Sequence, residues 1–471
     1  MSNPLRFVSV FVLTLLAVPA APVSGDVQLA GLFADNAVLQ RGRTIPVWGT
    51  AEADEEVTVV LGDQTVKAKA GKDGRWQVSF KELEAGGPLS LVVEGNNRVS
   101  VKNLLIGEVW LCSGQSNMAM TVSRSKNPQS EITAADFPQI RMFTVPRGGA
   151  AEPRADVEGQ WQICSPQTVG RFSATAYFFG RKLHQELNVP VGLINSSVGG
   201  TPIEFWTSRQ VQEKMFADEK VKAINPTVTA ADKNAGNLYN AMIVPLAPYA
   251  IRGATWYQGE RNSKKGDSRL YQFQLPAMIT NWREIWGQGE FPFLWVQLPN
   301  FLAEQTEPSE TSGWVLVREG MLKALATPNT GMAVTVDVGE ARDIHPKNKQ
   351  DVGLRLALWA LGKTYGNELV HRGPLVKTHK IDGGKVVIVF DAAGSQLATT
   401  DDQPLKGFAV AGEDKNFVWA EATLTGNTVE ISSPQVSKPL AVRYGWAANP
   451  IGNLANKEGL PASPFRTDNW E

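Results

Sequence analysis

The chain has 471 residues, which at roughly 100–200 residues per domain suggests two to four domains and ample length for a buried core. Lys and Arg number 46 against 47 Asp and Glu, a net charge of -1, so the chain as a whole lacks the attraction a polyanion needs and nucleic acid is not an expected partner. Hydrophobic residues at 43%, charged residues at 20%, 43 Gly and 28 Pro exclude a disordered or fibrous chain and describe a globular one with many turns. The 14 Trp are mostly expected to fill cores, although exposed indole rings also suit the apolar faces of sugars.

Residues 1–25 read as a secretory signal peptide: Arg6 precedes an apolar stretch at 7–18 that is too short to span a bilayer, and Val23-Ser24-Gly25 suits cleavage. The mature chain is expected to start near Asp26 and to be secreted or periplasmic, with no membrane association after cleavage. Cys112 and Cys164 are the only cysteines. Two cysteines cannot staple a chain of this size, and no CxxC spacing suggests zinc.

From 26 to about 104 the pattern is one of short strands, at 57–61, 66–70, 76–80 and 89–93, alternating with period two and separated by turn formers such as Gly62-Asp63 and Asn96-Asn97. This predicts an N-terminal β-sandwich-like domain. From 105 to 366 strands alternate with helices, which implies α/β punctuation and a mostly parallel sheet. Predicted strands lie at 106–112, 191–195, 254–258, 293–298 and 331–337, and predicted helices at 172–187, 275–286, 315–325 and 351–361. Beyond 366 strands return, at 386–390, 408–410, 417–421, 429–432 and 441–444, predicting a C-terminal β domain over 367–471.

In such a sheet the loops after the strands build the site. The strand at 106–112 runs into Ser113-Gly114-Gln115-Ser116-Asn117, a tight polar turn from which a serine hydroxyl can project while nearby N–H groups converge on an oxyanion. A serine nucleophile needs a base, and the chain has only His184, His345, His371 and His379. His184 falls off the apolar face of its helix, and His371 and His379 lie in a polar connection where surface placement is the default. His345 alone follows a predicted parallel strand, within Asp343-Ile344-His345-Pro346. Asp343 is then the first candidate to orient the imidazole. Asn195-Ser196-Ser197-Val198-Gly199-Gly200 offers backbone donors after another strand, and Asn262, in Gln258-Gly259-Glu260-Arg261-Asn262, can donate an amide to an oxyanion. No cluster supplies a convincing metal shell, and neither a metal nor an organic cofactor is expected.

Gly114-Gln115-Ser116-Asn117-Met118, Gly199-Gly200-Thr201-Pro202, Trp256-Tyr257-Gln258-Gly259-Glu260 and Asp343-Ile344-His345-Pro346 stand in the order seen in sialate O-acetylesterases, which the chain resembles. The likeness reaches Val38-Leu39-Gln40-Arg41 near the start and Leu460-Pro461-Ala462-Ser463 near the end. It implies the SGNH hydrolase superfamily, with a flavodoxin-like central domain carrying a parallel sheet. It also implies Ser116 as nucleophile, His345 as base, and oxyanion donors at the Ser116 N–H, a glycine placed at Gly200 with Gly199 as the alternative, and Asn262. The triad acid is open among Asp343, Glu260 and Asp337, in that order. Arg342 stands where many superfamily members carry Asp, Val198 replaces a frequent Trp, and Arg261 a smaller residue; Arg261 is also a candidate partner for a sialate carboxylate. The expected function is a serine esterase acting on an O-acetylated sugar or glycan, with sialic acid ahead of acetylated xylan or another polysaccharide. A non-catalytic glycan-binding protein is the alternative of another class.

Overall fold

One strand, Arg98–Gly114, organises the computed structural model, which describes residues 25–227, 232–264 and 267–470. The signal peptide expected over 1–25 therefore lies, apart from Gly25, outside the described residues. The first part of this strand pairs antiparallel with Gly86–Glu94 and parallel with Val38–Gln40. Its last residues, through Gly114, pair parallel with Val191–Ser197 on one side and Gly253–Tyr257 on the other. The boundary expected at residue 104 falls inside this strand, so one of the two N-terminal sheets continues into the central one without a linker, while Gln28–Leu29, Ile45–Thr50 and Arg75–Phe80 form a separate sheet.

Across the central sheet the strands run Trp161–Cys164, Phe137–Thr144, Val191–Ser197, Arg98–Gly114, Gly253–Tyr257, Phe293–Val296 and Thr330–Ala333. Only Trp161–Cys164 is antiparallel to its neighbour. Val191–Ser197 and Gly253–Tyr257 are buried at every position, as expected of strands covered on both faces. Along Arg98–Gly114 the side chains alternate between two cores. Val109 and Leu111 join Leu275 and Met278 of the helix Tyr271–Trp286. Trp110 and Cys112 face Phe179 and Leu356 of the helices Ala174–Leu187 and Lys349–Trp359. From this strand the chain first builds Phe137–Thr144 and Val191–Ser197 on one side and then crosses to Gly253–Tyr257 on the other, and that reversal opens a crevice at the carboxyl ends, where Gly114, Ser197 and Tyr257 meet.

Beyond the last helix, the sheet Leu375–Asp382, Lys385–Asp391, Thr428–Ser432, Glu421–Thr425 packs on a second sheet built on Phe408–Ala411 and Ala441–Tyr444. Ile388, Ile431, Val410 and Val442 fill the space between. Tryptophan serves the core: Trp206, Trp256 and Trp282 meet edge-on, all fully buried. Cys112 and Cys164 are buried free thiols, and burial pushes both up to about 12.

Candidate active site

The turn after Gly114 is set by contact between neighbouring strands. Gly114 has φ +142°, and a Cβ there would lie 2.1 Å from the Tyr257 carbonyl oxygen, so only glycine lets the two strands close at this height. The Gln115 N–H donates to that same carbonyl at 3.0 Å. Gln115 is fixed further at its Oε1, which accepts from the Arg261 N–H at 3.2 Å and from Gln258 Nε2 at 3.3 Å. The short helix Ser116–Ala119 starts directly afterwards. Its first side chain, Ser116, is half-buried at the mouth of the crevice.

The Ser116 hydroxyl meets His345. Their Oγ and Nε2 atoms are 2.9 Å apart. On the other side of the ring, Nδ1 stands 3.4 Å from Asp343 Oδ1, an oxygen that also accepts the His345 backbone N–H at 2.9 Å. Asp343 thus holds its own loop and faces the imidazole, although its side chain is 47% exposed. Asp337 is engaged elsewhere: both of its oxygens take Arg355 at 2.6 and 2.7 Å. The strand expected to end at 337 ends at Ala333, which leaves Asp337 in the following turn.

Glu260 does not hydrogen-bond to the imidazole either. It is 2% exposed, its Oε1 accepts from Asn117 Nδ2 at 2.5 Å, and its Oε2 has no partner. Asn117 Nδ2 also donates to the Ile344 carbonyl at 3.0 Å, and Asn117 Oδ1 accepts from Lys349 Nζ at 2.6 Å. Lys349 opens the helix Lys349–Trp359, is wholly buried, and lies 5.1 Å from the Tyr257 ring centre. Burial raises the Glu260 carboxyl and lowers the Lys349 ammonium, each against the opposing influence of the other's charge.

The expected oxyanion loop is adjacent to Ser116, and of its two glycines Gly199 stands nearer the serine side chain. A Cβ on Gly199 would be 3.3 Å from Ser116 Cβ, whereas one on Gly200 would meet nothing within 4 Å. The Val198 N–H donates to the Gly114 carbonyl at 3.1 Å and pins this loop beside the Ser116 turn. Asn262 is committed inside the protein. Its Nδ2 donates to Glu204 Oε2 at 3.0 Å, while its Oδ1 accepts from the Ile203 N–H at 3.0 Å and Gln258 Nε2 at 2.7 Å. It closes two loops together, with one N–H of the amide expected to face an oxyanion engaged by Glu204.

Along the His345 loop runs an open groove of about 520 Å³ lined by Lys126, Asn127, Glu340, Lys347 and Asn348. The Arg261 guanidinium is exposed and makes no ion pair among the described residues. Among those residues no group of three or more His, Cys, Asp and Glu is placed to hold a metal ion, and no helix is long and apolar enough to cross a membrane.

Residues 106–361 match a family described as carbohydrate esterase, sialic acid-specific acetylesterase. The chain belongs to that family. It is 32% identical to the sialate O-acetylesterase of Rattus norvegicus, over 91% of this chain and 92% of the relative. It is 31% identical to the sialate O-acetylesterase of Homo sapiens, over 93% and 92% respectively. A crystal structure of a carbohydrate acetylesterase from Xanthomonas citri superposes with a TM-score of 0.88 at 40% identity, covering 94% of this chain and all of that one. As a carbohydrate esterase the protein is a carboxylic ester hydrolase, and the matched segment holds Ser116, Gly199, Glu260, Asp343 and His345.

Within this esterase two residues of the crevice escaped the sequence reading. Asn117 sat inside the motif around Ser116 without a role. Lys349 carried no signal: it follows a polar loop and begins a helix, a position that ordinarily faces water. His371 differs as well. Expected at the surface, it is buried with its ring edge-on to Trp359 at 4.8 Å, because the segment before Leu375–Asp382 is folded against the helix that ends in Trp359. His379 is exposed on Leu375–Asp382, and His184 is half-buried with Nδ1 2.8 Å from the Val189 carbonyl oxygen.

Proposed function

We propose that this protein is a secreted or periplasmic serine esterase that removes O-acetyl groups from sialic acid. Its catalytic region spans 105–366 in a flavodoxin-like SGNH arrangement, between β domains at 26–104 and 367–471. The observation that carries the chemistry is the 2.9 Å separation of Ser116 Oγ from His345 Nε2. With the Nδ1 proton held toward Asp343, Nε2 presents its lone pair to the serine hydroxyl. Ser116 attacks the acetyl carbonyl as His345 takes its proton. The backbone N–H groups of Ser116 and Gly199, which make no hydrogen bond within the protein among the described residues, hold the developing oxyanion. Collapse of the tetrahedral adduct releases the sugar hydroxyl, which regains the proton from His345. Water then attacks the acetyl-serine with His345 as base, and acetate leaves.

The site's openness supports a glycan substrate. His345 is 34% exposed and Asp343 47%, so an acetyl group projecting from a large sugar reaches Ser116 while the sugar lies along the adjoining groove. Arg261, whose own backbone N–H clamps Gln115 while its side chain is exposed, is the cation proposed to pair with an acidic sugar's carboxylate. The names of the mammalian relatives agree with an acidic acceptor. Acetate release from O-acetylated sialic acid and from acetylated xylan, with Ser116→Ala alongside, tests this reading. Release from sialic acid that disappears in the variant is expected; preference for xylan overturns the acceptor, and release by the variant overturns the nucleophile.

A further inference from the structure

The His345 loop is held by a pair of buried charges that never touch each other. Lys349 and Glu260 both lie beneath the crevice, 0% and 2% exposed, and Asn117 stands between them. An ammonium only donates and a carboxylate only accepts, so the Asn117 amide has a single orientation: Oδ1 toward Lys349 Nζ at 2.6 Å, Nδ2 toward Glu260 Oε1 at 2.5 Å. The same Nδ2 reaches the Ile344 carbonyl at 3.0 Å. Ile344 immediately precedes His345, and Asn117 immediately follows Ser116. One amide therefore ties the backbone beside the base to the turn that carries the nucleophile.

We propose that Lys349 is a positioning residue: acting through Asn117 and balanced by Glu260, it fixes the Ile344–His345 backbone so that the imidazole meets the Ser116 hydroxyl. This inference rests on the reading of Ser116 and His345 as nucleophile and base. The two charges need each other. Glu260 Oε2 has no hydrogen-bond partner, so removing the ammonium leaves a buried carboxylate with no positive charge opposite it, held by the Asn117 amide and its own backbone N–H. That carboxylate then takes up a proton or draws water inward, and in either case Asn117 loses its fixed orientation. The expected damage is to the alignment of base and nucleophile, a property of the chemical step, with substrate binding little changed.

The test compares kcat and KM for 4-nitrophenyl acetate, with melting temperatures, across two series. Lys349→Met is expected to lower kcat by about tenfold or more with KM within about twofold. Adding Glu260→Gln, which removes the opposite charge and keeps an acceptor for Asn117, is expected to recover most of that loss. The second series serves if Lys349→Met does not fold. Asn117→Asp keeps the contact to Lys349 but turns an oxygen on Glu260 and the Ile344 carbonyl, and is expected to lose kcat similarly. Glu260→Gln in that background supplies a donor and is expected to restore it. A folded Lys349→Met with kcat within about twofold of the parent overturns the proposal, as does a kcat loss that Glu260→Gln restores in neither series. Ser116→Ala, measured in parallel, separates the two failures: if it retains activity, the nucleophile reading is what falls.

Discussion

Ser116 Oγ and His345 Nε2 lie within 2.9 Å of each other although 229 residues separate them in the chain. The contact exists because the strand ending at Gly114 and the loop after Thr330–Ala333 both open at the carboxyl end of one sheet. Groups that act as a unit in one proton transfer do not contribute independently. Ser116→Ala and His345→Ala are each expected to lower kcat on an acetyl ester by roughly a thousandfold, and the double variant to be no worse than about threefold below either. Fully additive losses would show that the two side chains act separately.

Asp343 and Asp337 are distinguished by what their oxygens hold. Asp343 faces Nδ1 across 3.4 Å and is half in water, so its help to the imidazolium is weaker than that of a buried triad acid. Asp343→Asn is expected to lower kcat by about tenfold, short of the loss of ~10⁴ typical when such a buried carboxylate is replaced. Asp337 gives its carboxylate to Arg355, whose side chain is 10% exposed. Asp337→Asn is expected to leave kcat intact and to cost about 1–2 kcal/mol of stability, read by urea unfolding. The opposite pattern would exchange their roles.

The role proposed for Arg261 can be tested apart from the chemistry. Its guanidinium is exposed without an ion-pair partner among the described residues, so its removal should leave the fold unchanged. Arg261→Gln is expected to raise KM for O-acetylated sialic acid by about tenfold, the value of one charge-assisted contact, while 4-nitrophenyl acetate is hydrolysed as before. Equal KM values for the acidic sugar in parent and variant would remove Arg261 from the substrate site.

His371 links stability to pH. Burial pushes its imidazole down to about 4 from an ordinary 6.5, with Lys363 and Arg372 acting in the same direction. Its Nε2 has no partner. Between these two values the unfolded chain binds a proton that the folded ring refuses, so this residue's contribution to stability is full above about 6.5 and falls as pH drops toward about 4. The slope is at most about 1.4 kcal/mol per pH unit. Urea unfolding of the parent and His371→Phe from pH 7 to 4.5 checks it. The variant is expected to lose less stability on acidification, and parallel curves would refute the assignment.

Much of the fold was legible because periodicity reports burial. The alternation at 57–61 and 76–80 marked half-covered strands, and the helix expected at 172–187 forms over Ala174–Leu187, with Ala176, Phe179 and Leu183 inside. Of the strands that the sequence reading did not include, two lack the signal for the same reason. Phe137–Thr144 has an exposed start and end around a continuously buried run at 140–143, and Leu375–Asp382 is mostly exposed, so neither shows a clean period. The stretch expected as one strand at 417–421 forms two short ones, Val418–Trp419 and Glu421–Thr425, because its ends join different sheets.

By itself the sequence determined the candidates for the chemistry: a serine at a strand-ending turn, and one histidine of four in a loop that could reach it. It also determined the alternation of strand and helix that brings such loops to one end of a sheet. Only the tertiary structure decided the partners. It turned Glu260 toward Asn117, gave Asp337 to Arg355, closed Asn262 on Glu204 and buried Lys349 beneath the crevice. The physical reason is that hydrogen bonds and charge pairs between distant segments are set by how whole elements pack. A residue's neighbours in the chain carry no record of that distance.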